Sequence, residues 1–218
     1  MDADGQRWAM DLGPDNNGGS YTLPGYSDVK GGGRWIYFRT NNHGHNTVTP
    51  GDGLQSRHMV ALIAKYGSAP ECGFAIVDLT PAYPNVAAGL QRGIALLDRA
   101  RVLVEDEYRP TQSNLPLHWV MVTKAKIDLA ADGHSAKLTS GGRTLRVDLL
   151  GPASAKLTIG STRPPTPAEN QNEGTSMLKV DVNPGADEQV VRLALLLTPV
   201  GDKWPKLNPP MLKPVADW

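Results

Sequence analysis

Two histidines two positions apart lie in Asn41-Asn42-His43-Gly44-His45-Asn46-Thr47. On an extended backbone residues i and i+2 face the same side, so both imidazoles would meet one ligand. His-x-His is a spacing found at zinc sites, but two histidines need a further donor from elsewhere in the chain. Asp78, closing the otherwise apolar run Gly73-Phe74-Ala75-Ile76-Val77, is the first candidate; His118, just ahead of Trp119, is the second. The competing reading is a polar loop whose histidines cap turns, which is the commoner fate of a bare pair. Three carboxylates stand together at Glu105-Asp106-Glu107. They suit cation binding or acid–base work, although a solvated strand edge is the plainer expectation. His58 and His134 sit in polar settings and carry no signal. The chain has no glycine-rich phosphate loop, no Gly-x-Ser-x-Gly elbow and no Walker pattern.

The elements that must position these groups read as strands. Short apolar or alternating runs recur at Arg34–Arg39, Gly73–Leu79, Arg101–Glu107, His118–Val122, Ser135–Thr139, Leu145–Leu149, Ala155–Ile159, Met177–Val182 and Val190–Leu197, each bounded by Gly, Pro, Asn or Asp. Asp132-Gly133 and Gly141-Gly142 predict two hairpins, joining 126–129 to 135–139 and the latter to 144–149. Helix is confined to two places: 59–65 holds helix formers but fits a strand equally well, and 83–90 has room for a single turn after Pro84. Strand after strand with tight turns predicts an all-β fold, a two-layer antiparallel sandwich with little helix. The sandwich core is expected over 1–160 and a Pro/Asn-rich loop or linker over 161–176. Final strands and a Pro-rich C-terminal strap follow over 177–218. The glycine-rich, polar stretch over 13–33 reads as a loop that covers something. Trp35, Tyr37, Phe38, Phe74 and Trp119 are expected in or beside the core.

Composition narrows the classes. With 22 Lys+Arg against 22 Asp+Glu in 218 residues the formal net charge is zero, which argues against a nucleic-acid binder. No run approaches the roughly 18 apolar residues that a helical membrane span needs. The single cysteine, Cys72, excludes an internal disulfide and a thiolate metal cluster. The start, Met1-Asp2-Ala3-Asp4-Gly5, has no basic region followed by an apolar one, so no signal peptide is expected.

Several motifs follow one another in the order seen in the heparinase II/III-like polysaccharide lyases. They are Gly13-Pro14-Asp15, Leu23-Pro24-Gly25-Tyr26, Arg34–Arg39, Gly44-His45-Asn46-Thr47, Ala75–Tyr83, Arg92-Gly93, Arg101–Glu107 and Trp119–Lys124. The chain resembles the C-terminal β-sandwich of that family over roughly residues 8–160, and has no counterpart to the N-terminal α/α toroid. The resemblance implies β-elimination on uronic-acid-containing glycans. That chemistry needs a base, an acid for the leaving oxygen, and a positive or hydrogen-bonding group to neutralise the sugar carboxylate. By position in the family His43 would enter the cleft, Tyr83 would line it, and His45 would turn inward as a zinc ligand with Asp78. Asn46, Gln55 and Arg57 would contact the sugar. Relatives often carry a histidine ligand where this chain has Val122, and His118 lies four residues earlier on the same run, about 13 Å along an extended strand. The implied partners are a polysaccharide and the toroid domain, without which the sandwich would be inactive. The implied compartment is the bacterial periplasm or the exterior. The alternative is a non-catalytic carbohydrate-binding or structural sandwich.

Overall fold

Residues 1–13, 33–186, 188–204 and 207–218 are described in a computed structural model. The motifs over 14–32, with all but the ends of the glycine-rich stretch, lie outside them. The strands in chain order are β1 (Asp2–Ala3), β2 (Gln6–Arg7), β3 (Val48–Pro50), β4 (Leu62–Ser68), β5 (Cys72–Asp78), β6 (Ala87–Leu97), β7 (Arg101–Pro110), β8 (Leu117–Thr123), β9 (Lys126–Leu129), β10 (Ser135–Ser140), β11 (Arg143–Gly151), β12 (Leu157–Ser161), β13 (Ser176–Val182) and β14 (Val191–Val200). Helix among the described residues is limited to short 3-10 turns. The fold is therefore the expected all-β sandwich. An eight-stranded sheet of order β4-β5-β6-β7-β14-β11-β10-β9 faces a four-stranded sheet of order β12-β13-β8-β3, and β1 pairs with β2 alone. Every pairing is antiparallel.

Period-two alternation decides the layers. Leu117, Trp119 and Met121 of β8 and Leu178, Val180 and Val182 of β13 meet Leu145 and Val147 of β11, Leu193, Leu195 and Leu197 of β14 and Tyr108 of β7 in one buried core. Each such Leu or Val contributes about 1.5–3 kcal/mol on burial. Both hairpins form as predicted: β9 pairs with β10, β10 with β11. Gly141 and Gly142 take φ of 54° and 71°, the left-handed geometry that a two-residue hairpin turn requires. The ambiguous 59–65 stretch resolves as strand from Leu62 onward.

Two elements depart from the expectation. The alternating Arg34–Arg39 run is not a strand but two 3-10 turns, Gly33–Ile36 and Phe38–Thr40, broken at Tyr37. Among the described residues no neighbouring strand pairs with it. Thr40 N donates to Tyr37 O at 3.0 Å, and Phe38 N donates to the Glu169 carboxylate at 2.7 Å. Conversely β6, with two glycines and three alanines, lacks an alternating signature, yet it runs between β5 and β7 as an eleven-residue strand.

The loop between β12 and β13 clamps those turns. Glu169 and Asn172 are buried in it; Asn172 Nδ2 donates to Thr162 O at 2.7 Å, and Arg39 Nε donates to Asn172 Oδ1 at 2.6 Å. Residues 207–218 run against the outer face of the eight-stranded sheet, where Trp218 joins Phe74, Ala95, Leu103 and Leu196 in a second apolar cluster.

Candidate functional site

The histidine segment is set by side chains that bond to backbone. Asn42 is buried, donates to Thr49 Oγ1 at 2.8 Å and to Gly53 O at 3.1 Å, and accepts from Gln55 N at 3.0 Å. Asn42–Gly44 is a third 3-10 turn, with the Asn41 side chain accepting from His43 N. A Cβ on Gly44 would run into the Phe38 carbonyl oxygen, so only glycine fits between the two histidines. Asn46 donates to Met10 O at 3.0 Å and accepts from Val122 N at 2.7 Å. Its backbone oxygen accepts from Arg92 at 3.0 Å, and Arg92 in turn makes a two-pronged pair with the buried Asp106 at 2.7 and 2.9 Å. A chain of polar contacts thus ties the segment to the centre of the eight-stranded sheet.

Because Asn42–Gly44 is a turn and not extended backbone, the two histidines diverge. His43 is half-buried beside Asp52 and His118; burial lowers its pKa, Asp52 opposing and His118 adding to the shift, which favours the neutral ring. His118 Nδ1 donates to Asp181 at 2.6 Å, and its Nε2 lies 3.8 Å from Asp52. His45, 37% exposed, donates through Nδ1 to Asp11 Oδ2 at 2.6 Å. Burial works to raise the Asp11 carboxyl, but the bonds from His45 and from Gly13 N outweigh it and hold it below the usual carboxylate range.

His45 lines a cleft of about 270 Å³ with Trp35, Asn41, Asn42, Gln55 and Arg57. Gln55 and Arg57 therefore line the same cleft as a histidine. That histidine is His45; His43 is not among the lining residues. The Arg34 guanidinium stacks over the Trp35 ring at 4.1 Å. Asn46 is a structural clamp, its amide occupied by Met10 and Val122. Tyr83 is not at the cleft surface. It is 2% exposed, its hydroxyl donates to Val48 O at 2.6 Å, and burial pushes its pKa up, so it braces β3 from within.

The expected metal ligands do not converge. His45 pairs with Asp11, His118 with Asp181, and Asp78 accepts from Thr80 N at 3.0 Å. Among the described residues no three His, Cys, Asp or Glu side chains are grouped to hold a metal ion. Val122, where the sequence resemblance would place a histidine ligand, is fully buried against Val120, Met177, Phe38, Met10 and Leu12. Apolar packing fills the place where a ligand would stand, so these residues do not fit a zinc ion.

Sequence reasoning missed Asp11, Asp52 and Asp181, because each acquires its role only by pairing across the fold, and it named Asp106 only within the carboxylate run, without its partner Arg92. Arg92 was visible only as part of a motif, and Trp35 was expected in the core. The Glu105-Asp106-Glu107 run, expected as a solvated edge, is buried.

No protein-family model and no curated protein matches the chain. Among solved structures, the fold is similar to heparan sulfate lyase HepC from Pedobacter heparinus, at a TM-score of 0.57 and 16% identity, over 74% of this chain and 25% of that one. It is similar to a heparinase III at a TM-score of 0.64 and 14% identity, over 90% of this chain and 28% of that one. A heparinase III with methylated lysines gives 0.62 and 17%, over 90% and 28%. The likeness is one of fold, and the chain spans about a quarter of the length of those proteins. The resemblance read from the sequence and the likeness in fold point to the same group.

Proposed function

We propose that this chain is the β-sandwich wall of a two-part lyase for uronic-acid-containing polysaccharides, with His45, oriented by Asp11, as its proton-transfer group. One juxtaposition supports the reading: an imidazole held through Nδ1 by a carboxylate, at a cleft that also carries Trp35, Gln55 and Arg57. In β-elimination the base takes the proton α to the sugar carboxylate. That C–H electron pair forms the new C=C bond, the bond to the leaving glycosidic oxygen breaks, and this oxygen must gain a proton. His45 would take the first proton at Nε2, and Asp11 would stabilise the imidazolium that forms. Arg57 would meet the carboxylate on which charge develops, and Trp35 would stack on a sugar ring. His43, which does not line the cleft and lies beside Asp52 and His118, would set the loop and take no proton.

The acid for the leaving oxygen and the opposite wall would come from a helical domain. The eight-stranded sheet outruns the four-stranded one, and the overhang leaves Ile63, Tyr66 and Ile94 exposed. By alternation they share a face with Arg92, which holds the histidine segment, so a domain seated there would close the cleft.

A nuclear magnetic resonance titration of the 218-residue chain tests the site. A uronate-containing oligosaccharide should shift His45, Arg57 and Trp35 and leave His118 unmoved, and His45→Ala should weaken that response. Equal shifts with a neutral glucan would overturn the substrate class. A response at His43 with none at His45 would overturn the assignment of the base.

A further inference from the structure

Along β7, Val104, Asp106 and Tyr108 point toward the sandwich interior, while Leu103, Glu105 and Glu107 point to the outer face of the eight-stranded sheet. Among the described residues no second sheet covers that face; residues 207–218 run over part of it. Val215 is fully buried and its N–H donates to Glu107 at 3.1 Å. Trp218 lies over Gly93, where a Cβ would come within 2.8 Å of the indole, and meets Phe74 edge-on at 6.3 Å. Gly93 and Ala194 are the register neighbours of Glu105 on either side. With two such small neighbours, Glu105 occupies the slot beneath the strap at 0% exposure, and neither carboxyl oxygen has a hydrogen-bond partner among the described residues.

Among the described residues the surrounding charges are committed elsewhere. Glu107 accepts from Arg192 at 2.9 Å as well as from Val215, and Asp106 on the opposite face is paired with Arg92. Arg101 donates to Asn208 O and pairs with Asp98, and Lys65 donates to the Trp218 oxygen. Lys213 and Asp217 belong to the strap itself and line its groove. Asp78, two strands away, accepts from Thr80 N. A buried carboxyl without a partner holds its proton or acquires water.

We propose that the 210–218 strap is a pH-gated latch, with Glu105 as the group whose ionisation releases it from the sheet. The strap is suited to lifting because it packs incompletely. A groove of about 410 Å³ remains between Pro210, Met211 and Trp218 and the apolar strip of Phe74, Leu97 and Leu103. Release exposes that strip and hydrates Glu105. Burial first, then the neighbouring Glu107, push Glu105 up to about 7 from an ordinary 4.5. The proton is held more tightly in the closed state, so the latch is fully closed below pH 4.5. Its opening constant then climbs tenfold per pH unit and levels off above about 7, a total of roughly 300-fold.

Hydrogen exchange of the 218-residue chain between pH 4.5 and 8, corrected for intrinsic rates, reads this directly. Amides of 215–218 should lose protection by roughly 300-fold while those of β14 in the core hold theirs, and Glu105→Gln should abolish the pH dependence without opening the strap. Strap protection that is flat with pH in the native chain, or a rise that persists in Glu105→Gln, overturns the proposal. A carboxyl titration in Trp218→Ala adds a check that does not depend on the glutamine variant. There Glu105 should fall toward 4.5, and an unmoved midpoint counts against the latch.

Discussion

Arg92 does two things at once: it neutralises the fully buried Asp106 and it caps the backbone oxygen of Asn46, one residue past His45. Removing one partner of a buried ion pair leaves an uncompensated charge, which costs about 3–5 kcal/mol. Arg92→Met should therefore lower stability by that order in urea unfolding. The double variant Arg92→Met with Asp106→Leu should recover much of the loss, and equal destabilisation of the two would show that the pair is not the cause. The same residue illustrates what is legible from type alone. Arg92 and Gly93 are neighbours in one motif, but the two positions serve opposite faces of the sheet, the arginine reaching the histidine segment and the glycine leaving room for Trp218.

The element that matters most is the run of 3-10 turns from Gly33 to Gly44. It turns the cleft-facing role over to His45, because a turn at Asn42–Gly44 breaks the shared face that extended i and i+2 residues would have had. Gly44→Ala tests this element. The added methyl meets the Phe38 carbonyl, so the turn must shift, and the crosspeak of His45 should move away from its Asp11-bonded position while the core strands keep theirs. Stability should fall by about 1–3 kcal/mol. An unperturbed His45 would mean that the turn is held by Asn42 alone. Alternation over 34–39 gave no hint of these turns, since the groups that fix them, Glu169 and Asn172, lie more than 120 residues further on and their side chains are chosen by the fold.

For the whole molecule the decisive feature is asymmetry: eight strands over four. The four-stranded sheet covers one part of the inner face, while Ile63 and Tyr66 stand 63% and 81% exposed beyond it. Elimination needs base, acid and carboxylate neutraliser held together, and orientation alone is worth about 7–11 kcal/mol. If the chain supplies one wall of the cleft, as proposed, it should by itself give no unsaturated-uronate absorbance with heparin, heparan sulfate, hyaluronan or alginate, while its far-UV circular dichroism should show sheet without helical minima. Turnover that His45→Ala abolishes would make the sandwich an enzyme in its own right and remove the need for a second wall.

Strand periodicity and turn dipeptides were enough to determine the fold class and the two hairpins, because alternation and the left-handed demands of Gly141-Gly142 act over a few residues. Gln55 and Arg57 follow the histidines along one short stretch, and the fold lines one cleft with them and His45. The sequence could not tell which histidine faces the cleft, that Tyr83 is a buried brace, that Val122 is packed where a ligand would stand, or that Glu105 is covered. Each of those depends on what arrives from far along the chain: Asp11 against His45, Val48 against Tyr83, Phe38 against Val122, Trp218 beside Glu105. Burial and pairing are properties of the closed tertiary arrangement, where a local pattern meets a distant partner, and they alone turned a polar motif into a particular site.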